Sequence, residues 1–131
     1  MDNSKIAEVF TEIADMMDIS GENFFKINAY RKGALTVENY PRDFRQIVEK
    51  ERDLLKQIPG IGMALREKII ELVETGKCAE HERLKANFPR GLLEILRLRG
   101  VGPKKVKLFY SELGIKNIKE TKEYDKYKFD I

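Results

Sequence analysis

Apolar side chains recur along this chain three and four positions apart, and no segment alternates apolar and polar residues as a strand would. Ile6, Val9, Phe10, Ile13, Met16 and Met17 form the first stripe, behind Asn3 and Ser4, either of which can cap a helix that stops near Ser20-Gly21. A second helix is predicted from Glu22 or Asn23 to about Asn39, with Ile27, Tyr30, Ala34 and Val37 on one face and Tyr40-Pro41 ending it. Phe44, Ile47 and Val48 mark a third helix. Leu54, Leu55 and Ile58 mark its continuation or a short fourth one.

Beyond Pro59-Gly60-Ile61-Gly62 the stripe resumes at Leu65, Ile69, Leu72 and Val73 and stops at Thr75-Gly76. Two short helices follow, over residues 79–87 and 91–98, and after "RGVGPKK" the pattern returns at Val106, Phe109, Tyr110 and Leu113. The tail from Ile115 is charged and weakly amphipathic. The class is all-α.

Setting Gly60 on Gly100 and Gly62 on Gly102 reveals an internal repeat, "IPGIGMALREKI" over "LRGVGPKKVKLF". Ile58 and Leu98 precede the first glycine by two, Ile61 and Val101 sit between the glycines, and Ile69 aligns with Phe109. Each copy reads as helix, two-glycine hairpin, helix. A helix that starts directly after such a turn aims its unpaired amides and positive dipole end into it, where a phosphate can dock without any side chain. A lone Gly-x-Gly is merely a turn, but two copies with matched flanks point to backbone recognition of a polyanion.

Charge agrees with this. The net charge is +3, from 9 Lys+Arg against 11 Asp+Glu in residues 1–57 and 16 against 11 in residues 58–131, so the basic excess lies in the half that carries both hairpins. Residues 95–110 hold Arg97, Arg99, Lys104, Lys105 and Lys107 and no acid. With 42% hydrophobic and 36% charged residues, the 131-residue chain is expected to fold around one core, or two very small ones. Cys78 is the only cysteine and His81 the only histidine, which excludes intrachain disulfides, Cys/His zinc clusters and most nucleophile–histidine schemes. Catalysis would have to rest on Lys, Asp, Glu or Tyr. "MDNSKIAEVF" lacks the apolar core of a signal peptide and no apolar run approaches a membrane span, so the expectation is a cytoplasmic protein, associated with the nucleoid, or nuclear in a eukaryote.

The two segments resemble helix-hairpin-helix DNA-binding motifs. "FKINAYRKGALTVENYP" (25–41) with "IPGIGMALREKIIELVETGK" (58–77) resembles the N-terminal lyase domain of family X DNA polymerases, and "LRGVGPKKVKLFYSELGI" resembles the helix-hairpin-helix of that family's fingers subdomain. The resemblance implies a lyase-like bundle over residues 1–88 and a smaller helical module over 89–131. It implies phosphate contacts from Gly60, Ile61, Gly62 and Arg66, and from Gly100, Val101, Gly102, Lys104 and Lys105. It also implies a monovalent cation, Na⁺ or K⁺, held by hairpin carbonyls of residues 58–62 and 98–102. The implied ligand is gapped or nicked DNA, or a single-strand/duplex junction, bound by a monomer in base excision repair.

In that family a lysine attacks the sugar aldehyde of a 5′-deoxyribose phosphate, and the matching residue is Lys68. It lies roughly a quarter turn from the centre of its helix's apolar stripe, at the border of the core, where partial desolvation would free some neutral amine. The repeat places Leu108 at the equivalent position, so only the first hairpin carries an amine. Glu67 matches the acidic neighbour of the nucleophile, although it points nearly opposite the stripe. Lys26 and Tyr30, at i and i+4, match residues that contact the 5′-phosphate and shape its pocket; Tyr30 reads equally well as a core aromatic. The chain departs from the family at Phe25 (histidine), Ala64 and Glu80 (both lysine), and Arg66 replaces a small residue. The residues are thus compatible with a lyase, a non-catalytic DNA-binding module, or a protein-interaction scaffold, and no Asp-x-Asp metal site for DNA synthesis is present.

Overall fold

Helix α1 (Asn3–Ser20) is capped by Asp2, whose carboxylate accepts from the Lys5 amide at 2.9 Å, rather than by Asn3 or Ser4. Asn3 is drawn away by a tertiary contact. Its side-chain oxygen accepts from Phe44 N–H at 2.9 Å and its amide donates to the Arg42 carbonyl at 2.8 Å, tying the start of α1 to a segment 40 positions on. The computed structural model describes residues 1–88, 90–98 and 102–108.

Helix α2 (Phe24–Asn39) is capped by Asn23 and α3 (Phe44–Lys50) by Asp43. A 3-10 turn over Arg52–Gln57 then takes the place of a fourth α-helix, with Leu55 and Ile58, three residues apart, both buried. The hairpin follows and leads into α4 (Met63–Thr75). Helices α5 (Ala79–Asn87), α6 (Arg90–Leu96) and α7 (Pro103–Leu108) complete the described chain, which is all-helical.

The core is the union of the stripes read from the sequence. Ile6, Phe10, Ile13, Met16 and Met17 of α1 face Ile27, Tyr30, Ala34 and Val37 of α2, with Phe44, Ile47, Val48, Leu65, Ile69 and Leu72 closing the other side. Phe10 and Tyr30 meet edge to face at 5.8 Å between ring centroids. Along the α1–α2 seam, Arg31 reaches Asp15 at 2.8 Å and Asp18 at 3.4 Å. Helix α1 also contacts α5 and α7, so it is the axis on which the rest is assembled. Among the described residues no helix is long and apolar enough to cross a membrane.

Two polar groups, Glu12 and His81, sit in this assembly with little exposure. Glu12 of α1 accepts two hydrogen bonds from the Arg97 guanidinium, at 2.8 and 2.9 Å, and a third from His81 Nε2 of α5 at 2.8 Å. Burial by itself would raise its carboxyl, but the hydrogen bonds from His81 and Arg97 outweigh it and bring the pKa to about 2. Arg97, which the sequence groups with the basic cluster beside the second hairpin, is therefore paired with the buried Glu12, although about half of its own side chain is exposed.

Because the unfolded carboxyl titrates near 4.5 and the folded one near 2, the triad stabilises the fold fully above the first value and loses that contribution as the pH falls toward the second. Glu12→Gln is expected to lower stability by about 2 kcal/mol at neutral pH. In urea titrations the gap between the two proteins should narrow from pH 4.5 to pH 2; a pH-independent gap would show that the carboxylate is not stabilised there.

Candidate functional site

The first hairpin is held against α2 by a contact that only glycine permits. Gly60 has φ of 91°, and a Cβ there would lie 2.5 Å from Thr36 Oγ1, so backbone conformation and space both exclude a side chain. Ile58 and Ile61 bury their side chains beneath it, and the turn closes through Ile61 N–H to the Ile58 carbonyl at 3.3 Å. Gly62 differs. Its φ of −81° and ψ of 179° suit any residue, a Cβ would meet nothing within 4 Å, and it is exposed.

Gly62 is also the N-cap of α4. Helices α1, α2 and α3 each have an Asp or Asn side chain on their first amides, whereas no side chain among the described residues caps α4. Its opening amides, from Met63 to Leu65, and its positive dipole end face the open side of the hairpin. Beside them Met63 is 68% exposed.

Lys68 lies one turn further along α4 and lines a cavity of about 280 Å³ with Lys26, Ala29 and Tyr30 of α2, Ala64 and Leu65 of α4, Met17 of α1 and Glu80 of α5. Its Nζ stands 5.9 Å from the centroid of the Tyr30 ring. Tyr30 fills both roles considered from the sequence. It is buried in the core against Phe10, and it forms a wall of this cavity. Burial, and then the Glu80 charge, push its hydroxyl far above the usual phenol range, so it is a neutral wall rather than a base.

Glu80 is where the sequence reading was least informative. Seen only as a lost lysine, its carboxylate in fact enters the Lys68 cavity, fixed by Arg83 at 2.6 and 3.1 Å. The Arg83 hydrogen bonds outweigh burial and hold it below the usual carboxylate range, with help from the charges of Lys68 and Lys26. Residues 68 and 80 belong to different helices joined by a turn, so no periodicity could have paired them. Cys78, fully buried at the start of α5, has its thiol pushed up by burial.

The other candidates are placed elsewhere. Glu67 faces away from Lys68 and lines a separate cavity of about 360 Å³, with Arg66, Met63, Ile70 and residues of the 3-10 turn. Phe25 is 81% exposed and stacks edge to face on Phe24 at the entrance of α2. Gly102 precedes α7 and its carbonyl accepts from Val106 N–H at 3.2 Å, with Lys104 and Lys105 exposed beyond it. Gly100, Val101 and the stripe of Phe109, Tyr110 and Leu113 lie outside the described residues. Among the described residues no group of His, Cys, Asp and Glu is arranged to hold a metal ion.

The model of the family described as "Helix-hairpin-helix domain" matches residues 1–78, which include the first hairpin, Lys68 and all of α1 to α4. The chain belongs to the helix-hairpin-helix domain family. Similarity continues past that domain. The DNA polymerase/3′-5′ exonuclease PolX of Bacillus subtilis (strain 168) is 33% identical over 123 residues, covering 94% of this chain and 21% of that protein. DNA polymerase lambda of Arabidopsis thaliana is 28% identical over 124 residues, covering 94% of this chain and 22% of that protein. This bears out the likeness to the N-terminal region of family X polymerases that the motifs suggested. The helix-hairpin-helix chain thus spans about a fifth of the length of these relatives.

Two hairpin substitutions separate folding from recognition. Gly60→Ala is expected to cost about 1–3 kcal/mol in denaturant unfolding. Gly62→Ser should leave stability unchanged or slightly raised, because serine caps α4, but its hydroxyl would occupy the amides a phosphate needs. Fluorescence anisotropy with gapped DNA should then show affinity roughly tenfold weaker, as for one lost charged hydrogen bond. Equal affinity would exclude the hairpin amides from recognition.

Proposed function

We propose that this protein is a DNA-repair module that grips the sugar-phosphate backbone of gapped or nicked DNA through its hairpins and acts at the 5′ end as a deoxyribose phosphate lyase. The observation that carries the reading is the convergence of an uncapped helix N-terminus and a cavity holding a lysine amine on the same helix, α4. A backbone phosphate at the Met63–Leu65 amides would bring the adjoining sugar toward Lys68, with Lys26 supplying a second positive charge. Recognition of this kind carries no base information and weakens with salt, each neutralised phosphate adding about 0.9 to the slope of log K against log salt.

Lys68 attacks the ring-opened aldehyde and forms a Schiff base, a reaction that needs a partly neutral amine and neither metal nor histidine. The carbonyls of Pro59, Gly60 and Ile61 accept no hydrogen bond among the described residues, so the loop has oxygens to offer the monovalent cation implied by the family. Gly102, Lys104 and Lys105 would add a second backbone grip. The protein would work as a monomer in the compartment that holds the genome.

A non-catalytic binding module is the second reading, and Glu80 favours it by placing a negative charge in the cavity where the family has a lysine. Borohydride reduction on incised abasic DNA separates the two. The lyase reading expects a covalent adduct that disappears in Lys68→Ala, while that variant binds gapped DNA within about threefold of the native protein. Absence of an adduct with the native protein would leave only the binding module.

A further inference from the structure

The Schiff-base reaction needs more than an amine. After the imine forms, a proton must leave the sugar C2′, and a base must be close enough to take it. Among the residues lining the Lys68 cavity, Glu80 is the one carboxylate. Glu67, the neighbour of Lys68 in sequence, opens onto a different cavity. Tyr30 and Cys78 are both held protonated by burial.

Glu80 is also positioned in advance. Its two oxygens are fixed by the Nε and Nη2 of Arg83, and it stands in the first turn of α5, where the helix dipole favours an anion. That helix is itself anchored to α4: the Glu71 carboxylate accepts from the Ala79 amide at 2.9 Å, immediately before Glu80. The charged and titratable groups facing the carboxylate are Lys26 and Tyr30 from α2, Lys68 from α4, and Arg83 from its own helix. It is therefore ionised at neutral pH. A base of this strength suffices, because the protonated imine makes the neighbouring C2′–H acidic.

We infer that Glu80 is the carboxylate that removes the C2′ proton once Lys68 has formed its Schiff base. The inference rests on the lyase reading. Lys68 Nζ bonds to C1′ and, with one proton taken from solvent, the aldehyde oxygen departs as water, leaving a protonated imine. The C2′–H bond breaks, its proton passes to a Glu80 oxygen, and its electron pair forms C1′=C2′ while the imine pair returns to nitrogen. The nitrogen pair then restores C1′=N, the C1′=C2′ pair shifts to C2′=C3′, and the C3′–O bond breaks. The leaving group is the phosphate that becomes the 5′ end of the downstream strand. Water hydrolyses the imine, freeing Lys68 and an unsaturated aldehyde, and the Glu80 proton is lost to solvent. No oxidant or reductant is required.

The test follows single-turnover strand elimination and borohydride trapping side by side on incised abasic DNA. Glu80→Gln preserves size and an acceptor for Arg83 but cannot take a proton, so elimination should slow by about 10²-fold while the trapped adduct forms in native yield. Glu80→Ala should be slowed likewise and partly restored by added formate, which a merely structural role would not allow. Elimination at the native rate in Glu80→Gln would overturn the assignment while leaving the lyase reading intact. Loss of adduct and DNA binding together, without restoration by formate, would also overturn it. Absence of an adduct with the native protein would sink both.

Discussion

The close seating of the first hairpin and α4 on α2 is the contact on which the rest of the site depends. Two glycines make it possible: at Gly60 a side chain would strike Thr36, and at Gly33 a Cβ would lie 2.5 Å from Leu65 Cδ1. With both side chains absent, Thr36 packs against the hairpin and the Leu65 side chain fills the space beside Gly33, and one turn further along α4 Lys68 Nζ stands 5.9 Å from the Tyr30 ring centroid. A side chain at Gly60 would strain the hairpin that leads into α4, whereas one at Gly33 would require the end of the Leu65 side chain to move.

The hairpin leaves a local stabilising device unused. Asp2, Asn23 and Asp43 cap their helices with side-chain oxygens, each worth on the order of 1 kcal/mol, and α4 has only Gly62. An exposed N-cap position open to any residue, yet holding none that would cap, suits a site meant to receive an outside anion. Its local instability is offset by apolar burial directly beneath, through Ile58, Ile61 and Leu65.

Charge is distributed with a similar division of labour. The buried Glu12 needs three hydrogen bonds to remain ionised away from water, and it takes Arg97 and the only histidine to supply them. That arrangement fastens the residues after α6 to the first helix. It also pairs Arg97 with an acid, whereas Lys104 and Lys105 stand exposed on α7.

The helical class, the stripes of α1 to α4, the stops at Gly21 and Gly76 and the first hairpin were all legible in the sequence, because each depends on residues within one or two turns of one another. The resemblance to family X polymerases was legible for the same reason, its motifs being short and contiguous. Tertiary structure alone decided that Asp2 rather than Asn3 caps α1, that Arg97 serves Glu12 across 85 positions, and that Glu80 rather than Glu67 shares a cavity with Lys68. Those outcomes are set by contacts between elements far apart in the chain, and the spacing of residues along one helix carries no information about which other helix will lie against it.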